Sequence, residues 1–173
     1  MLKFIKEVDL GSGVRKASAT DIFTSDYDNF FVTVTDLTSP YAVGSYSPAY
    51  FLDTSGTDIT TANYFTSQYD RATYTTPAFE SPYSNQTKIQ LAFVADANPE
   101  SPGIQFWIFN PMNSSSYTMM TYKQNVSTTG GAGGYQQIAT VLKENTQVAG
   151  ISYEHTFSGQ VLDGGILRSY GLE

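Results

Sequence analysis

A two-residue alternation between apolar side chains and polar or small ones is the feature that most constrains the fold of this chain. It covers residues 30–35, 89–93 and 151–157, whereas residues 104–109 keep the two-residue period with apolar residues on both faces. Successive side chains of a β-strand point to opposite faces of a sheet, so this period predicts strands. Turn-forming segments separate the runs at the spacing, roughly 8–14 residues, that is typical of a β-sandwich or barrel. No apolar stripe of period 3.6 lasts three turns, so little helix is expected, at most a short turn within residues 18–25.

One of the predicted strands and one glycine-rich segment give further information about the fold. The strand predicted over residues 104–109 is apolar on both faces, because Trp107 and Phe109 alternate with other apolar residues. The glycine-rich segment 130–134 lies between two strand-like runs and therefore predicts a hairpin loop. A phosphate-binding loop is disfavoured there, because no Lys with Ser or Thr stands at Walker spacing and no helix is expected to follow.

Composition supports one all-β domain. The chain has 173 residues, of which 40% are hydrophobic and 14% are charged, against a typical charged fraction of about 25%. Its 21 Thr and 18 Ser residues suit strands and turns better than helices. No linker, charge block or internal repeat divides the chain, so residues 1–173 are expected to form a single β-sandwich domain. Residues 1–13 would be either an N-terminal arm or an edge strand of that domain.

Several classes of function are excluded or disfavoured by residue counts. The chain has no cysteine and one histidine, which excludes a disulfide scaffold, a cysteine zinc site and a thiol nucleophile. A formal net charge of -7 disfavours nucleic-acid binding, because phosphate contacts need clustered Lys and Arg. No window reaches the roughly 18 apolar residues of a membrane span. Lys6, Glu7 and Asp9 interrupt the apolar stretch that a secretory signal needs, so we expect the chain to fold where it is made.

The sequence contains no arrangement typical of an active site. His155 is the single imidazole, and the Gly-x-Ser-x-Gly pentapeptide that usually presents a catalytic serine is absent. Ser152 lies three residues from His155, on the opposite face of the same predicted strand. We therefore expect His155 to be a partly buried strand residue and the chain not to be an enzyme.

Two acidic segments are the candidates for metal ligands. Asp26 and Asp28 in the first, and Asp53 and Asp58 in the second, could supply the oxygen ligands that Ca²⁺ takes. The Asp-x-Asp-x-Asp-Gly pattern with its glutamate is absent, and Asp is a preferred turn residue. Turns are the favoured interpretation, so neither a metal nor a cofactor is predicted.

Aromatic residues are dense within residues 41–51 and 64–83, two segments rich in Ser, Thr and Pro. A loop tyrosine offers a large contact area and loses little rotamer entropy on binding. These side chains form either a contact surface for proteins or glycans, or anchors that fasten long loops to the sandwich. The residues considered for an interface are Tyr41, Tyr46, Tyr50, Tyr64, Tyr69 and Tyr83.

Both ends of the chain carry short motifs. Near the C-terminus these are a Gly-Ile strand, a later glycine, and a last strand that ends in Tyr-Gly-Leu. The positions are Gly150, Ile151, Phe157, Gly165, Ile166, Tyr170, Gly171 and Leu172. Together with a short strand over residues 2–8 and the segment 23–32, they resemble the ends of a group of tailed-phage virion structural proteins. The two ends would then be adjacent strands, with Tyr170 packed inward and Gly171 relieving crowding.

The resemblance implies a jelly-roll-like antiparallel β-sandwich built into a phage particle as a capsid decoration (cement) protein, a head fibre or a tail-fibre element. It transfers no catalytic residues. One departure is the polar character of the last hairpin, with residues 163–165 and Arg168. This implies either a salt link between subunits or a solvated edge strand protected against aggregation.

The leading hypothesis is a non-enzymatic decoration protein on the outer surface of a virion, made in the host cytoplasm. It would form a homo-oligomer, a trimer, and bridge copies of the major capsid protein through the loop tyrosines and the arm residues Leu2, Phe4 and Ile5. The alternative is a fibre or receptor-binding domain whose tyrosines stack on host glycans. A small hydrolase or lectin-like module is disfavoured, because no nucleophile elbow is present and the histidine is isolated.

Overall fold

The computed structural model describes residues 1–39, 48–72, 79–90, 95–96, 103–127, 133–155 and 161–173. These residues form sixteen β-strands and no helix, which confirms the all-β class. The strands are β1 (Leu2–Asp9), β2 (Ser12–Val14), β3 (Lys16–Ala19), β4 (Asn29–Thr35), β5 (Thr38–Ser39), β6 (Pro48–Leu52), β7 (Tyr64–Ala72), β8 (Phe79–Gln86), β9 (Ile89–Gln90), β10 (Ala95–Asp96), β11 (Gly103–Phe109), β12 (Thr118–Ser127), β13 (Gly133–Leu142), β14 (Gly150–Glu154), β15 (Leu162–Asp163) and β16 (Ile166–Leu172). The helical turn expected within residues 18–25 is not formed, because β3 pairs with β14 up to Ala19 and turns follow it.

Eight strands form the largest sheet, in the order β1-β16-β4-β11-β12-β13-β7-β8, with every neighbouring pair antiparallel. The two ends of the chain are adjacent, because Leu2 of β1 pairs with Leu172 of β16. Strands β12 and β13 form the hairpin predicted around the glycine-rich segment, of which residues 128–132 lie outside the described residues. The adjacency of the ends and the pairing of the hairpin strands are thus confirmed.

One face of the large sheet carries the hydrophobic core. On β4 the side chains of Phe30, Val32 and Val34 are buried, and the residues between them are half-buried on the other face. A sheet of four strands, β3-β14-β6-β9, covers the buried face, and the rings of Phe106 and Tyr153 lie 6.3 Å apart across this interface. The chain is therefore a β-sandwich, whereas the jelly-roll connection stays a prediction.

A third sheet, β10-β5-β15-β2, contributes to the same core. Its pair β10 and β5 is parallel, and β15 pairs antiparallel with both β5 and β2. Leu162 of β15 is buried, as are Leu10 and Leu37 beside β1 and β4, and all three belong to one core cluster. The strands at both ends of the chain are thus fastened to the sandwich through shared apolar contacts.

The C-terminal motif is only partly placed as the resemblance implies. Gly171 is buried beneath Tyr27, and a Cβ at this position would overlap the Tyr27 ring, so relief of crowding is confirmed. The inward packing of Tyr170 is wrong. Ser169 and Gly171 occupy the buried face of β16, and strand alternation therefore sends Tyr170 to the opposite face.

The edges of the large sheet are β1 and β8, and the last strand is not an edge. β16 lies between β1 and β4, so the interpretation of the last hairpin as an edge is wrong. Arg168 Nε donates to Glu7 Oε2 within the chain at 2.8 Å. Of residues 1–13, Leu2–Asp9 form an edge strand of this sheet. A bulge between Phe4 and Lys6 interrupts its ladder, a common protection against edge-to-edge pairing.

Candidate interaction surface

A row of four aromatic side chains crosses the face of the large sheet that points away from the core. The strand registers place Phe4 of β1 opposite Tyr170, Tyr170 opposite Phe31, and Phe31 opposite Trp107 of β11. Ring centroids are 5.8 Å apart for Phe4 and Tyr170, 6.3 Å for Tyr170 and Phe31, and 4.7 Å for Phe31 and Trp107. Aromatic pairs at such separations attract each other beyond their simple burial, so the row is a fixed, ordered surface.

A second, mostly aliphatic row runs beside the first, one pleat further along the strands. The registers pair Leu2 with Leu172, and they link Asn29, Phe109, Met119, Val141 and Phe65 across the sheet. Leu172 and Asn29 lie one residue beyond the last registered pair of β16 and β4, Gly171 with Phe30. The Nζ atom of Lys143 lies 3.8 Å from the ring centroid of Phe65 and covers that end of the row. We call the ten apolar side chains of the two rows the outer-face patch; they are Phe4, Tyr170, Phe31, Trp107, Leu2, Leu172, Phe109, Met119, Val141 and Phe65.

The outer-face patch is unusual in being both apolar and accessible. Phe4 is 57% exposed, Met119 46% and Leu2 45%, and the seven other side chains are half-buried. The patch crosses seven strands, a span of about 29 Å at the usual inter-strand spacing. Neither row contains a charged residue. Contiguous apolar surfaces of this kind mark sites of protein–protein contact in soluble proteins.

Two of the three predicted N-terminal contact residues belong to this patch. Leu2 and Phe4 project from edge strand β1 onto the outer face. Ile5 differs, because it is half-buried and packs against the core cluster. Ile5 therefore contributes to the attachment of β1 more than to an accessible surface.

Tyr64 was predicted to be an interface residue, but the structure places it inside the fold. Its side chain is completely buried, and its ring lies 5.9 Å from that of Phe51. Its hydroxyl donates to the carbonyl of Ile59 at 2.9 Å and accepts from the backbone N–H of Phe51 at 3.1 Å. Burial raises the pKa of this hydroxyl far above its ordinary value. Tyr64 is thus an internal anchor for residues 51–59, and a partner cannot reach it.

Three other predicted tyrosines, Tyr50, Tyr69 and Tyr83, are not members of the outer-face patch. Tyr69 and Tyr83 are half-buried on β7 and β8, at the far edge of the large sheet. Tyr50 lies on β6 of the sheet β3-β14-β6-β9, where its hydroxyl donates to Glu154 at 3.4 Å. Burial and, second, the negative charge of Glu154 raise the pKa of this hydroxyl. Tyr41 and Tyr46 lie outside the described residues.

Sequence reasoning missed most of the outer-face patch. Trp107, Phe109, Phe31 and Met119 were not among the predicted contact residues. The one available signal was the run 104–109 with apolar residues on both faces, because a strand that buries one face has no packing need for Trp107 and Phe109 on the other.

Of the four acidic residues considered for calcium, Asp53 and Asp58 are hydrogen-bonded or ion-paired within the chain, whereas Asp26 and Asp28 are exposed. Asp53 closes a turn by accepting from the backbone N–H groups of Ser55 and Thr57, at 2.8 and 2.9 Å. The hydrogen bond from the Ser55 hydroxyl, followed by that from Thr57, lowers the pKa of Asp53. Asp58 pairs with Lys16 at 2.5 Å and accepts from the Ser152 hydroxyl at 2.8 Å. No group of three or more Asp, Glu and His suited to a metal occurs among the described residues.

His155 is held inside the fold. Its side chain is 1% exposed, and its backbone N–H donates to the carbonyl of Arg15 at 2.9 Å. Burial lowers the pKa of the imidazole, because the charged form is poorly solvated there. The neutral form therefore belongs to the native state, and Ser152, three residues away, is hydrogen-bonded to Asp58 instead.

We expect acid to destabilise the fold through His155. An unfolded histidine titrates near pH 6.5, above the lowered pKa of the native state, so stability is complete above about pH 7.5 and falls as the unfolded chain gains a proton. The melting temperature of the wild type should therefore decrease between about pH 7.5 and pH 5.5. Differential scanning calorimetry should show a smaller decrease for His155→Gln. Equal pH dependence of the two proteins would contradict this role of His155.

No protein-family model, curated protein or solved structure matches this chain. Within the part of the chain that the structure describes, no helix is long and apolar enough to span a membrane.

Proposed function

We propose that this chain is a non-enzymatic structural protein of a tailed-phage virion, most concretely a capsid decoration protein that stabilises the head by bridging capsid subunits. The observation that carries the proposal is the outer-face patch, an uncharged apolar surface on a rigid sandwich. The motifs at both ends of the chain support the same class of protein. Burial of apolar surface is the main source of affinity between proteins, so a decoration protein needs a face of this kind.

The occupant of the patch that we propose is a neighbouring copy of this chain in a trimer. The most exposed members form two groups, Leu2 and Phe4 on β1 and Met119 on β12. Four inter-strand spacings separate β1 from β12, about 19 Å at the usual value. A ring of three copies needs two different contact areas on each chain, and contact of the β1 group with the β12 group of the next copy meets this need.

The absence of charge within the patch suits a contact between identical chains. Each copy carries a formal net charge of -7, so two copies repel each other at long range. The two rows contribute no carboxylate to the contact itself, so no like-charged pair has to be desolvated there. The acidic remainder of the surface disfavours contact with packaged DNA, which supports a place on the outside of the particle.

A fibre or receptor-binding domain of the same virion is the second candidate. One observation favours it: a groove with several hydrogen-bonding side chains lies at one end of the large sheet. Decoration and receptor binding use different surfaces of this chain and can therefore be tested separately.

Restoration of depleted particles tests the decoration proposal. Purified wild-type chain, added to particles produced without it, should bind saturably and raise the temperature at which heads rupture. Met119→Glu should reduce the amount bound at least about tenfold, because a carboxylate in the apolar contact between copies breaks up the trimer that would bridge the capsid subunits. Ser84→Glu adds the same charge at an exposed position on β8, the opposite edge of the sheet, and should bind like wild type. Failure of the wild-type chain to bind would contradict the proposal.

A further inference from the structure

A groove of about 280 Å³ lies at the end of the large sheet where β4 begins and β11 ends. Its walls come from the turn before β4 and the loop after β11. The lining residues used below are Ser25, Tyr27, Asp28, Asn110, Met112 and Ser114. This groove adjoins one end of the outer-face patch, because Asn110 directly follows Phe109, but none of its lining side chains belongs to the patch.

The walls of the groove are fixed by backbone hydrogen bonds. The N–H of Asn110 donates to the carbonyl of Asp28 at 2.7 Å, which ties the two walls together. On the outer side of the loop, Val148 N–H donates to the carbonyl of Pro111 at 2.6 Å, and Gln147 Nε2 donates to that of Met112 at 3.0 Å. A site whose walls are already in place loses little entropy when a ligand binds.

Tyr27 is also held in one position. Its ring packs edge-on against the Phe30 ring, with centroids 6.1 Å apart. It also fills the space above Gly171, and any larger residue at position 171 would displace it. Tyr27 and Met112 give the groove an apolar part that is firmly attached to the core.

Four polar side chains of the groove are free to bind a ligand, whereas a fifth, Asn113, accepts from the Ser115 N–H at 2.8 Å. Ser25, Asp28, Asn110 and Ser114 make no side-chain hydrogen bond or ion pair with any other residue that the structure describes. Together they offer one carboxylate, one amide and two hydroxyls beside an apolar surface. An amide and a hydroxyl both donate and accept, and the carboxylate accepts only.

This combination points to the chemistry of a carbohydrate. We propose that the groove binds a neutral hexose unit, with Asp28 and Asn110 hydrogen-bonded to adjacent sugar hydroxyls and Tyr27 or Met112 against the apolar face of the ring. The carboxylate disfavours phosphorylated or acidic sugars by repulsion. The volume lies just below the range for small-molecule sites, about 300–1,000 Å³, which suits one sugar unit better than a long chain.

Saturation-transfer NMR on the full chain tests this site with D-glucose, D-galactose, D-mannose and N-acetyl-D-glucosamine, and with glucose 6-phosphate as the acidic comparison. At least one neutral sugar should bind, and the phosphate should bind more weakly. Asp28→Ala should weaken binding at least about tenfold, because a hydrogen bond to a charged group is lost. Asp26→Ala, an exposed carboxylate outside the groove, is the matched control and should bind like wild type.

Two results would overturn the site: no binding of any neutral sugar by the wild type, or equal loss in the Asp28 and Asp26 variants. Thermal melting of each variant separates loss of ligand from loss of fold. Because Asp28 is not a member of the outer-face patch, Asp28→Ala should still bind depleted particles as wild type does. Failure of the carbohydrate site and failure of the decoration proposal are therefore distinguishable.

Discussion

Replacement of Gly150 by alanine is expected to lower the free energy of unfolding by about 3 kcal/mol, at the upper end of the range for overpacking a core. Gly150 is buried at the start of β14, the strand that lies between β3 and β6. A Cβ there would overlap the carbonyl oxygen of Ala19 and lie 3.1 Å from both its carbonyl carbon and the Cα of Thr20. These atoms are backbone, so no flexible side chain can yield, and β3 would have to move away from β14.

Gly103→Ala is the matched control for this change. Gly103 is exposed at the start of β11, and a Cβ at that position meets no atom within 4 Å. Its effect should stay within about 0.5 kcal/mol. Urea denaturation of both variants measures the difference as a shift in midpoint at constant slope. Equal midpoints for the two variants would contradict the close approach of β14 to β3.

A large effect on association between copies is expected from substitutions in the outer-face patch. The wild type should sediment with three times the 19.0 kDa mass of one chain, whereas Phe4→Glu and Met119→Glu should each reduce the association constant at least about tenfold. Both residues are largely exposed in the single chain, so either change should leave the fold intact. Sedimentation velocity at several concentrations measures the association, and Ser84→Glu serves again as the control.

A mixture of the two variants gives the sharper result. In a ring built from two different contact areas, Phe4→Glu keeps an intact Met119 group, and Met119→Glu keeps an intact Phe4 group. The mixture should therefore form one good contact and sediment as a dimer of the two variants, although each variant alone is monomeric. Wild-type protein that stays monomeric at high concentration would contradict the proposed trimer, and a mixture without dimers would contradict its arrangement.

The strand pattern was accessible from the sequence because it depends on local periodicity. The alternation over residues 30–35 and 104–109 predicted β4 and β11, and the glycine-rich segment predicted the pairing of β12 with β13. The end motifs implied that the first and last strands are neighbours, which the pairing of β1 with β16 confirms. Each of these features depends on residues close together in the chain or on the motifs at its two ends.

The outer-face patch was not accessible in the same way, because it depends on register between strands distant in sequence. Phe4, Phe31, Trp107 and Tyr170 become one row only when four strands are aligned to the residue. A shift of one residue in any strand would turn its side chain to the other face. The inward prediction for Tyr170 failed for this reason.

Tyr64 shows a different limit of sequence reasoning. A tyrosine in a polar segment suits an exposed contact as well as a buried anchor. A tyrosine can be buried when its hydroxyl finds hydrogen-bond partners inside the protein. Here the backbone N–H of Phe51 and the carbonyl of Ile59 are those partners. Those partners are set by the tertiary fold and leave no mark in the local sequence.

The number of copies of this chain per purified virion tests the central claim most directly. Quantitative mass spectrometry against the major capsid protein should find on the order of hundreds of copies, as expected for a protein repeated over the symmetric head. About a dozen copies would instead assign the chain to a fibre or vertex and contradict the decoration role. Absence of the chain from purified particles would contradict a structural role in the virion altogether.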